Sequence, residues 1–280
     1  MSSSPSTLPL QQAPPDLGGW IAALRDAEIP VLATSAESLE LMRSNEDAFD
    51  ANSIGEMVAS DPLLTLKLLR HAAAQRADRE LPAPETVTEA LVWMGVTPFF
   101  TAFGPQPTVE QRLADQPAAL AGLQRVLRRA DRAARFALDF AAHRLDPDAA
   151  VIHSAACLHD FAEMLLWVHA PALALQIRAR QQANRQLRSA AVQRELLNIE
   201  LADLEQALMR TWRLPELLTH ITDDKRGHDP QVQTVRLAVR LARHTADGWD
   251  DAAIPDDIRD IAQLLNLDPG ATERLLRELD

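Results

Sequence analysis

Between Gly122 and Gly227 the chain contains no glycine. Alanine, leucine and arginine dominate that stretch, and runs of β-branched residues are scarce. Tyrosine is absent from the whole sequence. Such a composition favours helix and offers little from which to build a sheet, so the spacing predicts an all-α protein. With 280 residues the chain has material for one large domain or two lobes around an ample core. The formal charge of −12 repels nucleic acid at long range, so phosphate binding would have to come from a local basic face. A single cysteine, Cys157, allows no internal disulfide and suits a reduced compartment as a small buried hydrophobe. No run approaches the roughly 18–20 apolar residues of a membrane span, and the N-terminus lacks a basic start and an apolar stretch. A cytoplasmic protein without membrane contact is expected.

Residues 1–15, rich in serine and proline, are expected to be a disordered tail. Helices are expected over Ala36–Ser44 and Ser53–Ser60. Asp61-Pro62 is a cap followed by a residue with preset φ, and it opens a helix carrying Leu63, Leu66, Leu69 and Ala73 on one stripe. Thr86 and Glu89 have capping-box spacing, and Gly95 closes their helix. Pro98, Pro105, Pro107 and Pro117 then break the chain, which places a lobe boundary there. A long helix is expected from Ala118 to Arg144, and a successor opened by Asp146-Pro147 carries the pair His159-Asp160. The expected organisation is a tail over 1–15, an N-terminal helical lobe over 16–116, a second lobe over 117–246, and an acidic helical extension over 247–280. In the extension Ile258, Ile261, Leu264 and Leu265 recur at helical spacing.

Five stretches in order carry a family resemblance. They are Ile29-Pro30, MVASDPLLTLKLLRHA (57–72), TVTEALVWMGV (86–96), CLHDFAEMLL (157–166) and ALMRTWRLPELL (207–218). Together they resemble the HDOD family, the HD-related output domains of bacterial signalling proteins. The resemblance implies a two-lobed helical domain whose second lobe is a degenerate form of the HD metal-dependent phosphohydrolases. In catalytic relatives a histidine about 30 residues upstream of the HD pair and further histidines downstream complete the metal site. Here the upstream position falls at Arg129, which keeps its proton and cannot ligate a metal. Leu201 and Asp224-Lys225 stand at the downstream positions, and Ala162 and Glu163 replace the glycine and lysine that usually follow the pair. His159 and Asp160 therefore read as a vestigial pair with no catalytic residues, no metal and no cofactor.

The expected function is a non-catalytic signalling or regulatory module that binds a protein partner or a small anionic ligand. The alternative is an HD-type phosphohydrolase acting on a cyclic dinucleotide or nucleotide through His159-Asp160. An ionised Asp160 in an apolar helix needs a partner, and Arg129 is the residue expected to replace the metal, with Arg125 or Arg132 serving if the register slips. No acidic residue lies between Glu163 and Glu195, so Arg178, Arg180, Arg185 and Arg188 mark a basic surface for an anion or an acidic partner.

Overall fold

A computed structural model describes residues 9–184 and 187–280. The N-terminal part holds α1 (Leu17–Leu24), α2 (Ala33–Arg43), α3 (Ala51–Ala59), α4 (Pro62–Ala77), α5 (Val87–Met94), α6 (Val96–Ala102) and α7 (Val109–Arg112). The second part holds α8 (Pro117–His143), α9 (Ala149–Leu158), α10 (Phe161–His169), α11 (Pro171–Ala183), α12 (Ser189–Leu197), α13 (Leu201–Thr211), α14 (Glu216–Ile221) and α15 (Pro230–His244). The acidic extension folds as α16 (Ile254–Leu265) and α17 (Pro269–Leu279). Among the described residues the only β pairing is one isolated parallel bridge between Val31 and Thr108.

The buried apolar side chains form two cores, a larger one that also takes in Trp20, Leu24, Ile29, Val109 and Leu113 from the N-terminal part, and a smaller one, and α4 lines both. Its Leu63, Leu66, Leu69 and Ala73, the stripe read from the sequence, enter the larger core. Leu64, Leu68 and Ala72 face the opposite way into a smaller core with Ile54, Val58, Leu91, Phe99 and Phe103. Each fully buried leucine contributes roughly 1.5–3 kcal/mol, so α4 is held from both sides. Its start is set as expected: Asp61 accepts from the backbone N–H of Leu63 and Leu64, and Pro62 occupies the first turn. The same buried carboxylate also accepts from the Leu32 N–H at 2.8 Å, tying the chain before α2 to the head of α4.

In the larger core α8 packs against α9, α10 and α15. Gly122 is where α8 meets the Trp167 ring of α10. A Cβ built there would lie 2.4 Å from Trp167 Cη2, so the helices approach this closely only because the position has no side chain.

Several boundaries differ from the sequence expectation. The tail is shorter than fifteen residues: Leu10 donates to the His169 carbonyl at 2.7 Å and Asn198 donates to the Pro14 carbonyl. Leu10 and Ala13 cover part of the larger core, which is why this polar segment is held. Residues 1–8 lie outside the described residues. Asp146-Pro147 does not open the helix after α8. The Asp146 carboxylate is used by the Asp148 N–H and the Gln231 side chain, and α9 begins at Ala149. Glu89 accepts from the Glu85 N–H rather than from Thr86, so the expected box closes one residue early. Ala149–His169 has the length and mean hydropathy of a membrane span, but Asp160 and Glu163 interrupt it and 67% of its 18-residue apolar window is buried inside the fold.

The extension is docked. Ile254, Ile258, Ile261, Leu265 and Leu276 are buried in the larger core. Asp257, 1% exposed, sits 2.6 Å from Arg240 Nε and 2.6 Å from His244 Nδ1. Asp280 pairs with Arg132 and accepts from the Trp249 indole.

Candidate functional site

His159 and Asp160 do not lie inside one helix. They form the joint between α9 and α10, where His159 ends the first helix and Asp160 precedes the second without capping it through its side chain. The joint turns Asp160 toward Arg129 of α8 and Arg243 of α15, and His159 toward Asp224 and Glu205. Their side chains are 13% and 14% exposed, so charge here is largely withdrawn from water.

Arg129 of α8 supplies the main counter-charge. Its Nε and Nη2 donate to Asp160 Oδ2 at 2.9 and 2.6 Å, and Nη2 also donates to Glu163 Oε2 at 2.7 Å. The guanidinium thus grips one oxygen of Asp160 and bridges to Glu163, rather than matching both Asp160 oxygens in a parallel fork. Asp160 Oδ1 is left for Arg243 Nη2 of α15 and His159 Nδ1, both at 3.4 Å. Burial would raise the Asp160 pKa, but the charges of Arg129 and Arg243 and the His159 hydrogen bond hold it well below the ordinary carboxylate range.

His159 is engaged on both ring nitrogens, since Nε2 lies 3.2 Å from Asp224 Oδ1. Burial alone would depress its pKa. The hydrogen bonds to Asp160 and Asp224, with Glu205 nearby, reverse this and raise it to about 10. The imidazole is therefore a cation at neutral pH, with an N–H on each nitrogen. Glu205 of α13 is 4% exposed, and its burial pushes its pKa well above the usual value against the opposing pull of His159. Around Glu205, the cations of Arg129, Arg243 and His159 face the carboxylates of Asp160, Glu163 and Asp224.

This donor set does not fit a metal ion. Asp160 Oδ2 is occupied by the Arg129 guanidinium, and Arg129 cannot coordinate. Among the described residues no group of three histidine, cysteine, aspartate or glutamate side chains is arranged to hold a metal.

The other arginines named from the sequence go elsewhere. Arg132, one turn beyond Arg129, donates to the Thr245 carbonyl and hydroxyl and pairs with Asp280. Arg125 is exposed. In the basic stretch Arg180 is exposed and paired with Glu195 at 2.8 Å, Arg178 is half-buried, Arg188 is exposed ahead of α12, and Arg185 lies outside the described residues. Among the described residues of this group, none forms a hydrogen bond or ion pair with His159 or Asp160. Cys157 is buried, and burial pushes its thiol pKa up.

Sequence reasoning missed Glu205 and Arg243. Glu205 could have been found, because it falls on the apolar stripe of α13 between Leu204 and Leu208. Arg243 reaches Asp160 across a separation of 83 residues and carries no local signal.

An all-α, two-lobed fold with a histidine-aspartate joint facing the longest helix defines an HD-related helical domain. The HDOD domain profile matches residues 29–227, and the chain belongs to the HDOD family, a family associated with signalling. The MmoQ response regulator from Methylococcus capsulatus str. Bath is similar in structure, with 18% identity and a TM-score of 0.63 over 85% of this chain and 98% of that one. A virulence factor from Campylobacter jejuni subsp. jejuni superposes with 17% identity and a TM-score of 0.61 over 92% of each chain. An HDOD domain protein of unknown function from Geobacter sulfurreducens gives 12% identity and a TM-score of 0.50 over 94% of this chain and 92% of that one. No curated protein is significantly similar in sequence.

Proposed function

We propose that this HDOD domain is a non-catalytic regulatory module that acts by binding a partner protein or a small anionic ligand. The observation carrying this reading is Arg129, whose guanidinium is hydrogen-bonded to Asp160 and Glu163 where an HD hydrolase holds its metal. A fixed monovalent cation supplies the charge compensation that Asp160 requires. It has no vacant coordination position at which to activate water or polarise a phosphoryl oxygen, which is what metal-assisted hydrolysis demands. The surroundings of His159 support the same reading, since Asp160 and Asp224 on its two ring nitrogens favour the protonated imidazole, which is no general base.

Elemental analysis of the purified chain, paired with hydrolysis assays on cyclic dinucleotides and mononucleotides in added manganese, iron(II) or zinc, tests the proposal. No stoichiometric metal and no turnover is the expected result. Stoichiometric metal lost on changing His159 or Asp160, together with turnover, would overturn it in favour of the phosphohydrolase.

A further inference from the structure

Charge is separated along this chain. Residues 247–280, the docked extension, carry ten aspartates and glutamates against three arginines, a net −7 out of −12 for the whole sequence. Residues 164–194 carry five arginines and no carboxylate. Within one molecule the two do not meet: among the described residues no arginine of that stretch pairs with a carboxylate of the extension, and Arg180 and Arg194 pair with Glu195 and Glu200 close by.

The acidic pole also has a shape. A groove of about 590 Å³ lies between Trp249, the start of α16 and the start of α17. Its apolar lining is Trp249, Ile254, Pro255, Ile258 and Pro269. The two arginines on its rim are taken up inside their own helices, Arg259 by Asp256 and Arg277 by Glu273. Asp250 and Asp251, exposed on the same rim, have no cation among the described residues. Arg277 displays the chemistry such a groove accepts. Its guanidinium lies 4.7 Å from the centre of the Trp249 ring while Nη2 holds Glu273 at 2.9 Å. An arginine laid this way covers apolar surface with its stem and meets a carboxylate with its head.

We propose that this groove receives the arginine face of a second copy of the chain, presented by Arg180 of α11 and Arg188 ahead of α12, in a head-to-tail contact. Both arginines are exposed. Their stems would lie along Pro255, Ile258 and Pro269, and their heads would reach Asp250 and Asp251. The present partner of Arg180 is no obstacle, because that pair is 49% and 59% exposed and such pairs exchange at little cost. The overall negative charge repels a second copy at long range, but screening confines it to about 10 Å in moderate salt, so the charges that face each other decide the contact. The two faces differ, so the contact is heterologous, and each copy added still offers a free groove or a free arginine face. The proposal stands independently of how the His159-Asp160 site is used.

Sedimentation velocity on the intact chain tests it. At an ionic strength of about 0.05 M the weight-average mass should climb above that of a monomer as concentration rises, and at about 0.5 M it should fall back. Asp250→Asn/Asp251→Asn and Arg180→Gln/Arg188→Gln change exposed side chains only, and asparagine at 251 can keep the bond that Asp251 accepts from the Ala253 N–H. Each double variant should associate about tenfold more weakly. Mixing the two brings one intact groove together with one intact arginine face, and should restore a dimer that neither variant forms alone and that grows no further. A chain that stays monomeric up to about 0.5 mM, association indifferent to salt, or a mixture no better than its components overturns the proposal. A monomeric chain that nevertheless binds an oligoarginine peptide, with affinity lowered by Asp250→Asn/Asp251→Asn, would overturn the second copy as occupant and assign the groove to a basic segment of another protein.

Discussion

Replacing Arg129 by methionine keeps much of the side chain's apolar length and removes its charge. The structure fixes what is left behind. Asp160, 14% exposed, would keep only Arg243 and His159 at 3.4 Å, and Arg243 is itself 51% exposed. Glu163, 33% exposed, would retain the Trp167 indole at 3.4 Å. Breaking a buried pair from one side costs about 3–5 kcal/mol, whereas an exposed pair is worth about 0–1. The Asp160 contact lies near the first limit and the Glu163 contact nearer the second, so Arg129→Met should destabilise by about 3 kcal/mol at pH 7.5. Urea unfolding monitored by circular dichroism, with unchanged slope, is the measurement. In Arg129→Met/Asp160→Asn the loss should be smaller than the sum of the singles, by roughly 1–3 kcal/mol. Acid adds a second check. A depressed folded pKa means that Asp160 contributes stability above its unfolded pKa and loses it as pH falls through the folded value. Wild type should therefore weaken in acid more than Arg129→Met, and the gap between them should narrow. A loss under about 1 kcal/mol with additive singles would refute the reasoning, because Asp160 would then be satisfied by water and the guanidinium would not be compensating a buried charge.

Three further outcomes follow from other parts of the fold. His159, with its pKa raised to about 10, contributes stability that is complete below its unfolded value near 6.5 and lost as pH rises through 10; the urea midpoint should fall across that window, and His159→Gln should flatten the fall. Gly122→Ala, which at most helix positions stabilises, should cost roughly 1–3 kcal/mol by driving a methyl into the Trp167 ring; an unchanged or raised melting temperature would show that α10 can retreat. Truncation after Asp247 removes Ile254, Ile258, Ile261, Leu265 and Leu276 from the larger core and should lower the melting temperature by many degrees; an unaltered melt would make the extension an independent arm.

Local chemistry made much of the fold legible. Asp61-Pro62 caps the helix it precedes, and the Leu63-Leu66-Leu69-Ala73 stripe enters the core it predicts. Reading failed where a side chain had a second claim on it. Asp146 has the form of a cap, but Gln231, 85 residues away, shares its carboxylate and the helix starts later. The break at His159-Asp160 sits in a run of helix-favouring residues and comes from packing against α8 and α15. At the site, Arg129, named from the sequence as the residue standing where a metal ligand is lost, lies on the 27-residue α8 with its guanidinium against Asp160. Asp224 was read only as an absent ligand, yet it holds His159 Nε2 from a turn 65 residues on, a closure no local pattern encodes.

Helix α4 is a wall shared by two rooms, with Leu64, Leu68 and Ala72 on one side and Leu63, Leu66 and Leu69 on the other. Neither lobe can lose its core without exposing a face of this helix, and the helix cannot fray without opening both. Cooperativity in this protein is thus built into one sixteen-residue element, and the two lobes should melt in a single transition. An event that loosens the small core, far from His159, is then felt in the large one. For a domain of a signalling family, that shared wall is a physical route by which occupancy of one lobe can be reported by the other.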